Sequence, residues 1–140
     1  IHEKPYYEYR ILNHWDNLDD TVERGYAGLS MWEWTAKEIP TERIHHYGEL
    51  CASVGLNGAV LNNVNANPLI LDKEHIERVA QIANILREYG ITTYLSIKWT
   101  SPVTLDGLKS GDPLDPKVRQ WWKNKAAEIY TAIPISAAFS

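Results

Sequence analysis

Twice in this sequence a stretch of helical periodicity stops at a glycine, and a short apolar run begins within a few residues. Val54-Gly55 leads into residues 58–63, and Tyr89-Gly90 leads into residues 91–97. A glycine just past a helix takes the left-handed backbone that closes the last turn. A brief apolar run bounded by such punctuation reads as a buried strand. The repeated junction therefore imposes alternation, and alternating helices and strands build a parallel sheet with right-handed crossovers.

The remaining elements extend the pattern. Residues 9–13, Tyr-Arg-Ile-Leu-Asn, form the first expected strand, followed by a polar and aromatic stretch over 14–40. Thr41 is expected to cap a helix whose stripe is Ile44, Tyr47, Leu50, Cys51 and Val54. Asp72 is expected to cap the next, with Ile76, Val79, Ala80, Ala83 and Leu86 along one face. Asp115-Pro116 opens a last helix with Val118, Trp122, Ala126 and Ile129 inward, and Pro134 closes it.

No Gly-x-Gly-x-x-Gly follows the first strand and no Walker sequence occurs, so dinucleotide and P-loop folds lose their main support. Long loops after strands and short turns after helices favour a barrel. The expected fold class is α/β, a TIM (β/α)8-type barrel present in part, as its first three βα units. Three strands with an open flank would leave an unpaired edge and apolar surface exposed, so self-association is expected.

Composition narrows the function. A formal charge of −4 without a basic run argues against nucleic acid as a partner, and no apolar run is long enough for a membrane span. The chain opens at Ile1 rather than a methionine, so the lack of a signal-like segment says nothing of compartment. Cys51, the one cysteine, sits among Leu50, Ala52 and Val54 and is expected as a buried apolar side chain. His45 and His46 are helical neighbours that do not face each other, so they cannot share a metal. No metal or other cofactor is expected.

Just past each strand the same vocabulary recurs. The three segments are Asn13-His14-Trp15-Asp16-Asn17, Asn62-Asn63-Val64-Asn65-Ala66-Asn67 and Ser96-Ile97-Lys98-Trp99-Thr100. In a barrel they would converge on one face. An indole packs on the C–H face of a pyranose, while amides and carboxylates take its hydroxyls. Six Trp and eight Tyr against one Phe suit such a surface. Candidate ligands are Trp15, Asp16, Asn17, Asn62, Asn63 and Asn65, with Lys98 facing a uronate carboxylate. The competing reading is that Asn and Asp follow strands because they suit turns.

Glycoside hydrolysis needs two carboxyl groups across the scissile bond. Only Asp16 lies directly after a strand, so it is expected to hold a hydroxyl rather than act as acid or base. Glu23 and Arg24 are expected to pair across the long loop, Glu33 to be merely exposed, and Trp121-Trp122 to pack rather than bind.

Two segments, Arg10-Ile-Leu-Asn-His-Trp-Asp-Asn17 and Thr21-Val-Glu-Arg-Gly-Tyr-Ala-Gly28, resemble the start of the catalytic barrel in α-glucuronidases of glycoside hydrolase family 67. So do Leu56-Asn-Gly-Ala-Val-Leu-Asn-Asn-Val-Asn-Ala66 and Gly111-Asp-Pro-Leu-Asp-Pro116 with Trp121-Trp122. The resemblance runs from about Arg10 to Pro134. It implies removal of glucuronic acid or its 4-O-methyl ether from xylo-oligosaccharides, with inversion and without a cofactor. It also implies a homodimeric parent enzyme, Trp15 lining the glucuronic acid pocket, and Val64 near the methyl ether. The third segment, Ser96-Ile-Lys-Trp-Thr100, departs from the family pattern.

The resemblance further places the general acid, a glutamate, beyond a fourth strand, with the bases and main uronate-binding residues later still. This fragment of the barrel domain, residues 1–140, is therefore expected to be inactive alone. After Pro134 the family continues with a strand like Asp-Phe-Gly-Gly-Phe, whereas this chain reads Ile135-Ser-Ala-Ala-Phe-Ser140. Codons for the first, read one base late, spell the second, so a shifted frame near Pro134 is expected. Two rival readings stay open: another barrel glycosidase using Asp16 catalytically, and a non-catalytic sugar-binding module.

Overall fold

The computed structural model describes residues 4–133. Three short parallel strands lie side by side in chain order: β1 (Ile11–Asn13), β2 (Gly58–Val60) and β3 (Thr92–Tyr94). Ile11 stands beside Gly58 and Gly58 beside Thr92. Helix α1 (Thr41–Ser53) carries the chain from β1 back to β2, and α2 (Lys73–Glu88) from β2 to β3. After β3 come α3 (Ser101–Asp106) and α4 (Pro116–Ala132). The architecture is α/β with one parallel sheet, as in part of a barrel. Among the described residues no helix is long and apolar enough to cross a membrane.

Helix α2 forms as its sequence dictates. The Asp72 carboxylate accepts the His75 amide at 2.8 Å, Glu74 and Arg87 complement the helix dipole at opposite ends, and Gly90 follows with φ +72°. Its buried face includes Ile76, Val79, Ile82, Ala83 and Leu86. Each such aliphatic side chain contributes about 1.5–3 kcal/mol by leaving water.

Helix α1 departs from expectation at both ends. Pro40 occupies the cap position and Thr41 is already helical, its hydroxyl facing the Ile39 carbonyl, so no side chain caps the helix. The buried stripe is Ile44, Tyr47, Gly48 and Cys51, while Leu50 and Val54 are exposed. Leu50 lies one step off the stripe, and Val54 has already left the helix as its C-cap. Gly48 has a packing reason. A Cβ there would stand 2.5 Å from Cδ2 of the Tyr89 ring, whose hydroxyl is held 3.0 Å from His45 Nδ1.

All three strands are shorter than the apolar runs suggest. At its start β1 is trimmed because Arg10 turns to other work: its amide donates to Asn57 Oδ1 and its guanidinium to the carbonyls of Tyr7, Glu8 and Gly55. At the other end, the β2–β3 ladder gives way after Leu61, where side chains replace backbone partners. A 3-10 turn (Pro68–Leu71) and α3 were not foreseen in the sequence. Both are short, start at or beside a proline, and carry no periodic stripe.

The sheet has two unlike faces. Ala59 and Leu61 point into a core completed by Trp32, Ile44, Ile70, Val79, Ile82 and Leu86, all with no exposed surface. The opposite face carries Ile11, Asn13, Gly58, Val60 and Tyr94, and no helix packs over it among the described residues. There the space above Gly58 is narrow, since a Cβ would meet both Ile11 Cγ1 and Tyr94 Cε2 at 2.9 Å. Trp121 and Trp122 pack against the core edge as expected, with Val118 buried. The closure of α4 at Pro134 and the tail with its shifted frame lie outside the described residues.

Candidate functional site

The polar segments gather at the C-terminal ends of the strands. Past β1 the chain enters the loop over 14–40, pinned by antiparallel bridges Asp16–Val22 and Thr21–Leu29. Three non-glycine residues in it, Asp20, Glu23 and Glu33, take positive φ. Such backbone persists only when its surroundings enforce it. Here they do. Thr35 donates from amide and hydroxyl to Asp20 Oδ2, the Glu23 carbonyl accepts the side-chain amides of Asn17 and Asn63, and the Glu33 carbonyl accepts Arg78 at 2.8 Å.

Two expectations fail in this loop. Glu23 does not pair with Arg24; its Oε1 accepts the Tyr26 hydroxyl instead. Glu33 is not merely exposed, because it pairs with Arg43 at 2.6 Å. Both misses come from reading neighbours in sequence as neighbours in space.

Asp16 is buried to 3% exposure, and its Oδ2 accepts the Ser30 hydroxyl and the Met31 amide, each at 2.7 Å. Two donors on one oxygen hold the carboxylate and bind the far limb of the loop to the end of β1. Behind it stands His14, with Nδ1 3.8 Å from Asp16 Oδ1 and Nε2 2.7 Å from the Tyr47 hydroxyl. Burial lowers the His14 pKa from its ordinary value, opposed in part by the charge of Asp16. Burial likewise drives the Tyr47 phenol upward, with the neighbouring Cys51 and Asp16 adding to it.

Adjacent asparagines tie the three segments together. Asn63 donates to Asn17 Oδ1 at 2.9 Å and its backbone amide donates to the Asp16 carbonyl at 2.8 Å, joining the ends of β1 and β2. Asn62 does the same toward β3, donating to the Ser96 carbonyl at 3.0 Å and accepting the Ser96 amide at 2.9 Å. Both side chains are buried. Asn63 Oδ1 also accepts the Asn65 amide.

Between the ends of β1 and β2 lies a cleft of about 250 Å³ lined by two aspartates, five asparagines and Leu18. Asp16, Asn17, Asn62, Asn63 and Asn65 of the expected residues line it. Asp19 and Asn67 also line it, and nothing in the sequence marks them beyond their place in polar runs. The hydroxyl and amide of Thr21 hold the Asp19 carboxyl below its usual range. Asn67 caps the 3-10 turn through the Leu69 amide. Trp15, Val64 and Lys98 do not line the cleft; each is exposed. Lys98 forms no ion pair among the described residues, and its carbonyl accepts both donors of Ser101. Ser30, His14 and Trp32, whose indole donates to the Leu61 carbonyl at 2.8 Å, are the supporting residues that sequence reasoning missed. The approach of His14 to Asp16 is local, but the bonds of Ser30 to Asp16, Trp32 to Leu61 and His14 to Tyr47 span 14, 29 and 33 residues, which no local signal marks.

Polar groups converging past the ends of parallel strands suit a carbohydrate. The profile of the Glycosyl hydrolase family 67 middle domain matches residues 1–140. The probable alpha-glucuronidase A of Aspergillus terreus is 42% identical over 136 residues, covering 96% of this chain and 16% of that protein. The alpha-glucuronidase A of Emericella nidulans is 43% identical over 136 residues, covering 93% of this chain and 16% of its own length. The alpha-glucuronidase A of Aspergillus tubingensis is 40% identical over 139 residues, covering 96% and 16% respectively. This chain thus spans 16% of the length of these relatives. A match along the entire sequence, to a profile whose relatives carry the same name, establishes that the chain belongs to glycosyl hydrolase family 67 and corresponds to its middle domain.

Proposed function

We propose that the cleft between the ends of β1 and β2 is part of the sugar pocket of an α-glucuronidase barrel. The parent reaction is hydrolysis of the α-1,2 link between (4-O-methyl-)glucuronic acid and a xylo-oligosaccharide, with inversion. The observation that carries this reading is the cleft itself: amides and carboxylates at strand ends, in a chain related to α-glucuronidases.

In this reading Trp15 packs on the pyranose face and Val64 against the methyl ether. Asn65, Asn17 and the remaining capacity of Asp16 meet hydroxyls, with Asn62 and Asn63 holding the walls apart. Lys98 approaches the uronate carboxylate. No step requires a cofactor.

Inversion places a carboxylic acid and a carboxylate roughly 6.5–9.5 Å apart across the scissile bond. Asp16 is already engaged, its Oδ2 taken by the Ser30 hydroxyl and the Met31 amide. The chain is therefore proposed to bind without cutting, with the acid and base supplied by later barrel strands. Glucuronic acid titrated against tryptophan fluorescence tests the pocket. A saturable change that disappears in Trp15→Ala is expected, and a flat titration of the intact chain sinks the reading. Turnover of aldouronic acids by the pure chain would overturn the division between binding and cutting.

A further inference from the structure

The six tryptophans divide by environment. Trp32 and Trp34 are buried, and Trp121 and Trp122 are half-buried against the core edge. Trp15 and Trp99 are exposed, and both follow the C-terminal end of a strand. Trp99 is the more open, at 69% exposure against 37%. The cleft does not reach it.

Exposure alone would be unremarked, but this ring is backed. Trp122 meets it in a T-shaped contact with centroids 6.3 Å apart and planes at 77°, and Trp121 meets Trp122 at 4.8 Å and 88°. The Trp121 indole donates to Asp106, and Lys125 stands 5.6 Å from its ring centre.

The backbone beneath Trp99 is fixed as well. The preceding carbonyl accepts the amide and hydroxyl of Ser101, at 3.0 and 2.6 Å. Gly111 packs so closely that a Cβ would stand 3.2 Å from the Trp99 carbonyl oxygen. The segment is tied to the cleft wall through the paired hydrogen bonds of Asn62 and Ser96. Trp99 is thus backed by a second indole and fixed through its backbone, at 69% exposure, in a segment tied to the cleft wall.

Resting on the sugar-pocket reading above, we propose that Trp99 is a stacking platform for a neutral xylosyl ring of the oligosaccharide that carries the acidic sugar. A pentopyranose has no exocyclic carbon, so both its faces offer C–H bonds to an indole, and it requires no charged partner. Trp15 then serves the uronic acid and Trp99 the chain to which it is attached.

Xylotriose titrated into the intact chain, followed through the six indole N–H signals in two-dimensional NMR, tests the assignment. The Trp99 signal, identified by its loss in Trp99→Phe, should move to saturation. Trp99→Ala should weaken xylotriose about tenfold, and Trp99→Phe should recover most of that because a flat ring remains. Xylotriose binding that leaves the Trp99 signal unmoved, or that is equal in Trp99→Ala, overturns the proposal. Glucuronic acid is titrated alongside. A chain that binds the acid sugar but not xylotriose loses the Trp99 platform alone; a chain that binds neither loses the pocket too.

Discussion

The two faces of the three-stranded sheet are built from adjacent residues and behave as different materials. On one, Ala59 and Leu61 are sealed under α1, α2 and Trp32, with no surface left to water. On the other, Ile11 and Asn13 are exposed and Tyr94 leans over Gly58. The sealed face is held by volume, and close packing makes every missing atom felt. The open face is shaped for neighbours of its own kind, as the interior of a closed barrel would be. The sealed face carries the core, and the cleft lies beyond the strand ends rather than on either face.

The sharpest break of this comparison is Trp32→Ala. It empties the largest fully buried position and leaves the Leu61 carbonyl without its indole donor. The expected loss is about 4 kcal/mol, read as a fall in the urea midpoint. A matched pair sharpens the contrast. Ile82→Ala on the sealed side should cost about 3 kcal/mol, and Ile11→Ala on the open face below about 1 kcal/mol. Equal losses would mean that the open face is covered in solution, as self-association through it would produce.

The smallest effect is a slope with pH. The folded His14 has a lowered pKa, so the unfolded chain binds the proton more readily. Its contribution is fully present above the unfolded value of about 6.5 and is lost as pH falls through the lowered folded value. Midpoints measured below neutral pH should fall with acidity, and His14→Gln should flatten part of that fall. An unchanged slope in the variant would remove His14 from the account.

Much of this was legible in the sequence. The alternation, the parallel order and helix α2 follow from apolar spacing, the Asp72 cap and the glycine stops. The sealed face was less legible, because Leu50 resembles a core residue as closely as Cys51 does and only the turn of the helix separates them. The cleft was found through its run of asparagines, and the jobs of those asparagines were not. A primary amide serves a sugar hydroxyl or a backbone peptide equally well. Which it meets depends on strands that lie some thirty to fifty residues away, as the separations of Asn62 from Ser96 and Asn63 from Asn17 show. Residues such as Ser30 and Tyr47 carry no mark of the partners they reach.

Asn62 and Asn63 reach opposite neighbours: Asn62 pairs with Ser96 as a peptide group would, and Asn63 donates to Asn17 and to the Glu23 carbonyl. Each acts as a spacer of fixed length between diverging strands. The aperture of the rim is then gauged by the single methylene of an asparagine side chain. Glutamine, which makes the same hydrogen bonds with one carbon more, is the natural instrument for widening it. A family built on this scaffold could retune the breadth of sugar it admits by exchanging two amides for their longer homologues, leaving every strand where it is.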